Sequence, residues 1–201
     1  MPVSSSFLED PVRVLRAARF LSTHPEFRAS KPLEDICREM YLRGELDNLT
    51  PERVWKEMEK ALKGKIPGVF FTMLTELGIF PEIKELMATP QKPDHHPEGD
   101  VGIHTMMVVD YAAKHYGPEV VFAGLCHDFG KPISYQESGN ALQHEVKGLP
   151  AIREFCDKWK VPNNYRDLAL ITCEYHTKVH GCLGRGTNSA MRPKSIMNMF
   201  A

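Results

Sequence analysis

A histidine and an aspartate stand side by side where an apolar run ends, in the stretch AGLCHDFGKPIS at 123–134. An imidazole nitrogen and a carboxylate oxygen are ligands that divalent transition metals accept. A desolvated carboxylate at Asp128 would be costly unless a positive group pairs with it. His127 and Asp128 therefore indicate either a metal site or an ordinary helix end that is polar.

Three further predicted helices each supply a histidine. His104 lies in GIHTMMVVDYAA, with apolar residues three, four and seven positions later, which places it on the core side of its helix. His144 begins a second helix and His176 lies on a third. The pattern as a whole predicts one shared metal site, whereas each histidine taken alone is more typical of an ordinary core or surface position. The predicted metal ligands are His104, His127, Asp128 and His144.

Hydrolysis at phosphorus is the chemistry expected of such a site. A metal with open coordination positions polarises a phosphoryl oxygen and lowers the pKa of bound water. Lys131 follows Asp128 by three residues and could neutralise charge that builds on a phosphate, while Asp128 could accept a proton from water. The alternative for Lys131 is a solvated lysine. The predicted catalytic residues are His127, Asp128, Lys131 and His176.

Composition places the chain among globular proteins of moderate size. It has 201 residues, 42% of them hydrophobic and 25% charged, with a formal net charge of −1. This length is enough to bury a core, and no apolar stretch reaches the roughly 18–20 residues that span a membrane. The five cysteines include no C-x-x-C pair and the N-terminus has no signal-peptide pattern. We expect a cytoplasmic protein with no membrane partner, for which a homodimer is a candidate assembly.

Helical periodicity runs through nearly all of the sequence, and no β-alternation extends beyond a few residues. The proline-rich stretch TPQKPDHHPEGD at 89–100 is typical of a linker. The sequence therefore predicts an all-α fold with a boundary near residue 90. Helices are predicted to start at 11 and 192 and to cover 33–43, 51–63, 68–77, 101–116, 118–129, 142–160 and 163–180.

The motif GIHTMMVVDYAA…FAGLCHDFGKP…H resembles the HD phosphohydrolase superfamily. The helical core of that superfamily binds a divalent metal through His, His-Asp and a later Asp. The resemblance implies His104, His127 and Asp128 as ligands. No aspartate follows clearly in ITCEYHTKVHG. Candidates for the last ligand are Glu174, Asp167 and His176.

Longer stretches resemble the bacterial CCA-adding enzymes, the tRNA nucleotidyltransferases that carry an HD domain. They include SFLEDPVRVLRAARF, LTPERVWKEMEKAL and VPNNYRDLALITCEYH. In that family an E-D-x-x-R element reads the base of the incoming nucleotide, and a planar guanidinium beside a carboxylate suits this task. The alternative is that the aspartate is a helix cap and the arginines are surface charge. The resemblance implies nucleotide binding by Glu9, Asp10, Arg13 and Arg16.

The resemblance also implies that the two parts of the chain have different functions. Residues 1–90 would form neck and body helices, and residues 91–201 an HD domain with 2′,3′-cyclic phosphodiesterase, 2′-nucleotidase and phosphatase activities. The expected cofactor is Ni²⁺, Mg²⁺ or Mn²⁺, and the expected partners are the tRNA 3′ end, nucleotides or cyclic nucleotides. ATP or CTP would bind the neck if the family's catalytic head were present.

The head of the CCA-adding family carries an Asp-x-Asp motif that this sequence lacks, and only eight residues precede Glu9. We therefore expect a fragment, a split gene product or a headless relative that does not itself add CCA. Two alternatives to a phosphohydrolase remain. One is a non-catalytic fragment that binds nucleotide or tRNA on a vestigial HD scaffold, and the other is a purely structural fragment.

Overall fold

The computed structural model describes residues 5–91 and 99–182. Over these residues the fold is all-α, as the sequence predicts, and it contains no β-strand; an isolated antiparallel bridge joins Pro90 to Asp100. None of the helices in this part of the chain is long and apolar enough to cross a membrane. The α-helices are α1 Val12–Thr23, α2 Lys31–Leu42, α3 Pro51–Leu62, α4 Gly68–Glu76, α5 Pro81–Met87, α6 Val101–His115, α7 Pro118–Cys126, α8 Lys131–Ser138, α9 His144–Trp159 and α10 Asn163–Cys182.

Proline and aspartate set several helix starts. Helices α2, α3, α5, α7 and α8 have proline in the first two positions, where a missing backbone N–H costs nothing. Asp100 caps α6, because its Oδ1 accepts a hydrogen bond from Ile103 N at 2.8 Å. Asp10 acts in the same way at α1, where its Oδ1 accepts from Val12 N at 3.1 Å.

Aromatic side chains join the first five helices to the last five in one hydrophobic core. Trp55 of α3 meets Phe122 of α7 and Tyr165 of α10 edge to face, with ring centroids 6.0 and 4.9 Å apart. Phe80, just before α5, packs on Phe155 of α9 at 6.0 Å. The residues on the two sides of position 90 thus bury their apolar faces against each other, and the division into domains stays a prediction.

Two short helices are absent from the sequence-based prediction, and one predicted helix ends earlier than expected. Helix α7 stops at Cys126, so His127 and Asp128 lie in the turn that leads to α8 and not inside a helix. Helices α5 and α8 span fewer than nine residues, which is too short for apolar periodicity to reveal. The helix expected from residue 192 lies outside the described residues.

Candidate metal centre

Side chains from four parts of the fold converge on a cavity of about 740 Å³. Within it, two groups of three ligand atoms lie within 4.8 Å of one another, and both groups include Asp128. The turn after α7 brings two of the residues, while α6, α9 and α10 bring one each. The two groups are His104, His127 and Asp128, and Asp128, His144 and His176.

One type of hydrogen bond orients three of the imidazole rings. In each ring Nδ1 lies against the backbone carbonyl oxygen three residues earlier. Because a carbonyl oxygen can only accept, Nδ1 carries the hydrogen and Nε2 is left to face the cavity. Such bonds from the non-ligating nitrogen are typical of metal-binding histidines. The pairs are His127 with Gly124 at 2.7 Å, His144 with Ala141 at 2.7 Å and His176 with Cys173 at 2.8 Å.

The Nε2 atoms of His144 and His176 lie only 3.1 Å apart. With Nδ1–H fixed on both rings, two neutral imidazoles would point lone pairs at each other and repel. Oδ1 of Asp128 adds a third acceptor, 3.4 Å from His144 Nε2 and 3.5 Å from His176 Nε2. Three acceptor atoms this close require a positive charge among them, which a proton or a metal ion can supply.

Asp128 is the most buried member of the cluster, with only 1% of its surface exposed. Its Oδ2 lies 3.1 Å from His127 Nε2 and 2.8 Å from Lys131 Nζ. Neither carboxylate oxygen has a hydrogen bond of good geometry within the described residues. Burial alone would raise the pKa of Asp128, but the imidazoles of His127 and its neighbours hold that pKa well below its usual value. The carboxylate therefore stays ionised.

Lys131 is also buried, and its ammonium group has a second partner that sequence analysis did not find. Nζ donates to Oε1 of Gln91 at 2.9 Å, and Nε2 of Gln91 in turn donates to the carbonyl of Asp100 at 3.2 Å. Gln91 is itself buried. No local pattern marks this residue, because it lies in the proline-rich stretch and meets Lys131 only through the fold.

Backbone geometry holds α8 and α9 together behind the cluster. A Cβ at Gly130 would overlap the carbonyl of His144 and lie 2.5 Å from Gly148 N, so only glycine permits this approach. Gln143, directly before His144, has a φ of 61° in the left-handed region. A non-glycine residue held there is strained, and such strain is common beside functional side chains.

The residues predicted to bind nucleotide lie at the start of α1. Arg13 is 3.8 Å from Glu9, while Asp10 pairs with Arg53 of α3 at 2.9 and 2.7 Å. The hydrogen bond from Val12 N is the main cause that lowers the pKa of Asp10. Arg16 is exposed. Asp10 is therefore both a helix cap and the partner of an arginine that sequence analysis missed.

The donor set fits a divalent transition metal. It combines imidazole nitrogens with one ionised carboxylate, which is the mixture that Mn, Fe, Co, Ni and Zn accept. The orphaned oxygens of Asp128 and the opposed Nε2 atoms are the groups that such an ion would satisfy.

Comparison with known proteins gives two results. Residues 36–89 match a family described as "Probable RNA and SrmB-binding site of polymerase A". Relatives along nearly the whole chain are named "Multifunctional CCA protein". That of Thioalkalivibrio sulfidiphilus is 40% identical over 97% of this chain and 48% of its own length. That of Tolumonas auensis is 40% identical over 98% of this chain and 49% of its own length. For Burkholderia vietnamiensis the identity is 40%, over 94% of this chain and 48% of the relative.

The chain spans about half the length of the curated relatives it matches. The aligned region contains the stretches on which the resemblance to CCA-adding enzymes rests, since it includes α1, the segment 36–89 and the His-Asp turn. Along almost all of its own length, the chain is thus identified as a relative of the multifunctional CCA proteins.

Proposed function

We propose that the His/Asp cluster is the metal centre of a phosphohydrolase, within a protein of the multifunctional CCA type. The name denotes the two groups of possible ligands taken together: His104, His127, Asp128, His144 and His176. The observation that carries this proposal is the approach of the His144 and His176 Nε2 atoms to 3.1 Å, with both Nδ1 atoms already bonded to carbonyl groups. An arrangement of acceptors around a buried carboxylate is unfavourable for a structural core and suited to holding a cation.

The proposed roles follow from position. When bound, a divalent ion would polarise a phosphoryl oxygen and make water more acidic. His104, His127, Asp128 and His144 would hold the ion, with His176 as the remaining nitrogen donor of the cluster. Lys131 would place its ammonium group against the negative charge of the phosphate, steadied by Gln91. Asp128 would accept a proton from the attacking water.

The proposed substrates are phosphate esters of nucleotides or RNA 3′ ends, including 2′,3′-cyclic phosphates. Support comes from the resemblance of the His-Asp turn to HD phosphohydrolases and from relatives whose name refers to CCA. The family match at 36–89 supports contact with RNA in the same chain. In this proposal residues 1–90 bind nucleic acid or nucleotide, and residues 91–201 carry the hydrolytic site. Ni²⁺, Mg²⁺ and Mn²⁺ are the proposed metals.

A second candidate function is nucleotide binding at the start of α1 without hydrolysis. Arg13 and Arg16 lie one turn apart, and Arg53 reaches the same place through its two contacts with Asp10. The guanidinium groups of Arg13 and Arg53 near the Asp10 carboxylate can recognise phosphate and base edges together. This function would make the His/Asp cluster a vestige, and it predicts nucleotide affinity that falls with Arg13→Ala.

The proposed hydrolysis is tested with purified protein and 2′,3′-cyclic AMP, in the presence of Ni²⁺ or Mn²⁺ and after chelation. We expect metal-dependent turnover that His127→Ala abolishes. His115→Ala is the matched control, because His115 is an exposed histidine of α6 that contacts Tyr111 and not the cluster. If the folded wild-type protein shows no turnover with any of the metals, the phosphohydrolase proposal is wrong.

A further inference from the structure

We propose that a second cavity, separate from the His/Asp cluster, binds single-stranded RNA. The cavity measures about 860 Å³ and lies between α2 and α4, with α6 at one side. We name it the α2–α4 cleft. This inference rests on the proposed contact with RNA and specifies where in the chain that contact takes place. The cleft-lining residues used below are Phe27, Arg28, Glu34, Cys37, Arg38, Tyr41, Met73, Glu76 and Leu77.

Two exposed arginines line the cleft without a protein partner. Arg28 and Arg38 make no ion pair and no side-chain hydrogen bond within the described part of the chain, whereas the neighbouring Lys31 pairs with Asp35 at 2.9 Å. An unpaired guanidinium group offers its planar set of N–H donors to a phosphate in two parallel hydrogen bonds. The cleft thus has two positions ready for a phosphate backbone.

Two aromatic rings lie on the same cleft with much of their surface in solvent. Phe27 is 55% exposed and Tyr41 is 44% exposed. The ring of Tyr41 lies against the backbone at Gly78, where a Cβ would be only 2.8 Å from Cε2, and Gly78 has a φ of +75°. Phe27 contacts Phe20 with ring centroids 5.5 Å apart. Rings that are held in place and exposed are platforms on which unpaired bases stack.

The remaining lining favours bases inside the cleft and phosphates at the arginines. Cys37 and Leu77 are buried and Met73 is half-buried, which gives the cleft apolar surface for a base. Glu34 and Glu76 also line it and would repel phosphates, but a carboxylate accepts hydrogen bonds from the amino groups of cytosine or adenine. In duplex RNA these amino groups are base-paired and lie in a deep, narrow major groove that side chains cannot reach, so the occupant with matching chemistry is a single strand.

The position of the cleft agrees with the family comparison. Helices α2 and α4 supply most of the lining residues named here, and the segment 36–89, which matches the RNA-binding family, includes most of α2 and all of α4. Phe27 and Arg28 lie outside that segment, in the connection between α1 and α2. Glu34, in the first turn of α2, also lies outside that segment, so the inference assigns to RNA binding three residues that the family match does not include.

The test measures binding of a short fluorescein-labelled oligoadenylate to the full chain by fluorescence anisotropy, over a range of salt concentrations. The double variant Arg28→Glu, Arg38→Glu should bind at least ten-fold more weakly. Its slope of log K against log salt should be smaller by roughly 1.4, because each lost phosphate contact removes about 0.7 on a single strand. Tyr41→Ala should weaken binding by roughly ten-fold without changing the slope, because stacking does not depend on counterions.

The matched control is the double variant Lys84→Glu, Arg153→Glu, which makes the same change of charge at exposed positions of α5 and α9 outside the cleft. It should keep most of the wild-type affinity. Equal losses in both double variants, or no loss in either, would overturn the inference and leave RNA contact elsewhere in the chain intact.

Two further results separate this inference from the proposed hydrolysis. Metal-dependent hydrolysis of 2′,3′-cyclic AMP should be unchanged in the double variant Arg28→Glu, Arg38→Glu, since the small substrate needs only the His/Asp cluster. If the wild-type protein does not bind the oligonucleotide at all, both the cleft inference and the proposed RNA contact are wrong, while the hydrolytic proposal is judged by its own assay.

Discussion

Replacement of His176 by alanine should have opposite effects on the protein with and without metal. The His176 ring directs Nε2 at the Nε2 atom of His144, 3.1 Å away, and at Oδ1 of Asp128, 3.5 Å away. Without metal, the substitution removes some packing and the contacts of the ring with His144 and Asp128, whose mutual repulsion a shared proton relieves, so the free energy of unfolding should change by no more than about 1 kcal/mol. With metal, it removes a nitrogen donor and should weaken binding sharply.

The size of the effect follows from the linkage between binding and stability. At a metal concentration 100 times the Kd, binding stabilises the folded protein by about 2.7 kcal/mol. For a chain of this length, about 1 kcal/mol corresponds to roughly 2–4 °C in Tm, so metal should raise Tm by about 5–11 °C. If the variant binds about 100-fold more weakly, the same concentration equals its Kd, and the gain falls to about 0.4 kcal/mol, or roughly 1–2 °C.

The assay is thermal unfolding followed by circular dichroism, with Ni²⁺ and Mn²⁺ and after chelation, for wild type, His176→Ala and the control His115→Ala. The control should keep the full metal-induced rise in Tm. We choose His176 over Asp128 because removal of Asp128 would leave the ammonium group of Lys131 buried without its carboxylate, which costs several kcal/mol. A His176→Ala protein with the same metal-induced rise as wild type would refute the assignment of His176 to the metal centre.

Three other predictions concern the backbone and charge around the cleft and cluster. Gly130→Ala should lower the free energy of unfolding by about 1–3 kcal/mol in urea titrations and weaken metal binding, because the methyl group overlaps the His144 carbonyl and Gly148 N. Gln143→Gly should raise that free energy by about 0.5–1 kcal/mol, measured in the same way, because it relieves a left-handed φ of 61°. Burial is the main cause that raises the pKa of Asp110, so the contribution of this carboxyl group to stability should fall as pH rises above its ordinary pKa, and in urea titrations at each pH the wild type should lose stability relative to Asp110→Asn.

Each of these predictions has a result that would contradict it. Wild-type stability and metal affinity in Gly130→Ala would mean that α8 and α9 separate without disturbing His144. A loss of stability in Gln143→Gly would show that the glutamine side chain contributes more than the strain costs. The same pH dependence in wild type and in Asp110→Asn, whose side-chain oxygen can still accept the hydrogen bond of Gly68 N, would contradict a raised pKa at Asp110.

The sequence predicts those ligands of the metal cluster that stand in a recognisable pattern of neighbouring residues. His127 and Asp128 close an apolar run, which is a short-range pattern that points inward. His104 does join the cluster, but Met107 and Tyr111, three and seven positions later, are 60% and 62% exposed, so the apolar pattern that placed His104 on a core face was misleading. The all-α fold follows from the same kind of pattern together with the prolines at helix starts. These are the features that a window of about 15 residues contains.

Other features could not be predicted, because they join residues far apart in the chain. Gln91 meets Lys131 across 40 positions, and Arg53 meets Asp10 across 43. No fixed separation along the sequence predicts either pair, because the contacts exist only after α3 packs beside α1 and after the Pro90–Asp100 bridge forms. The early end of α7 has a similar cause, because Gly130 must approach α9 closely and a continuous helix to residue 129 would direct His127 and Asp128 elsewhere.

The bonds from Nδ1 to the carbonyl three residues earlier have a consequence for how the proposed metal centre would be loaded. Each of the three rings is oriented by its own stretch of backbone, so none of them depends on an ion for its direction. After chelation of the metal, the three histidine rings should therefore keep their orientation in the folded protein. Zinc fingers differ in this respect, because they unfold when the metal is removed. One metal could be exchanged for another in a folded protein, and the cellular supply of each ion would then decide which one the centre carries.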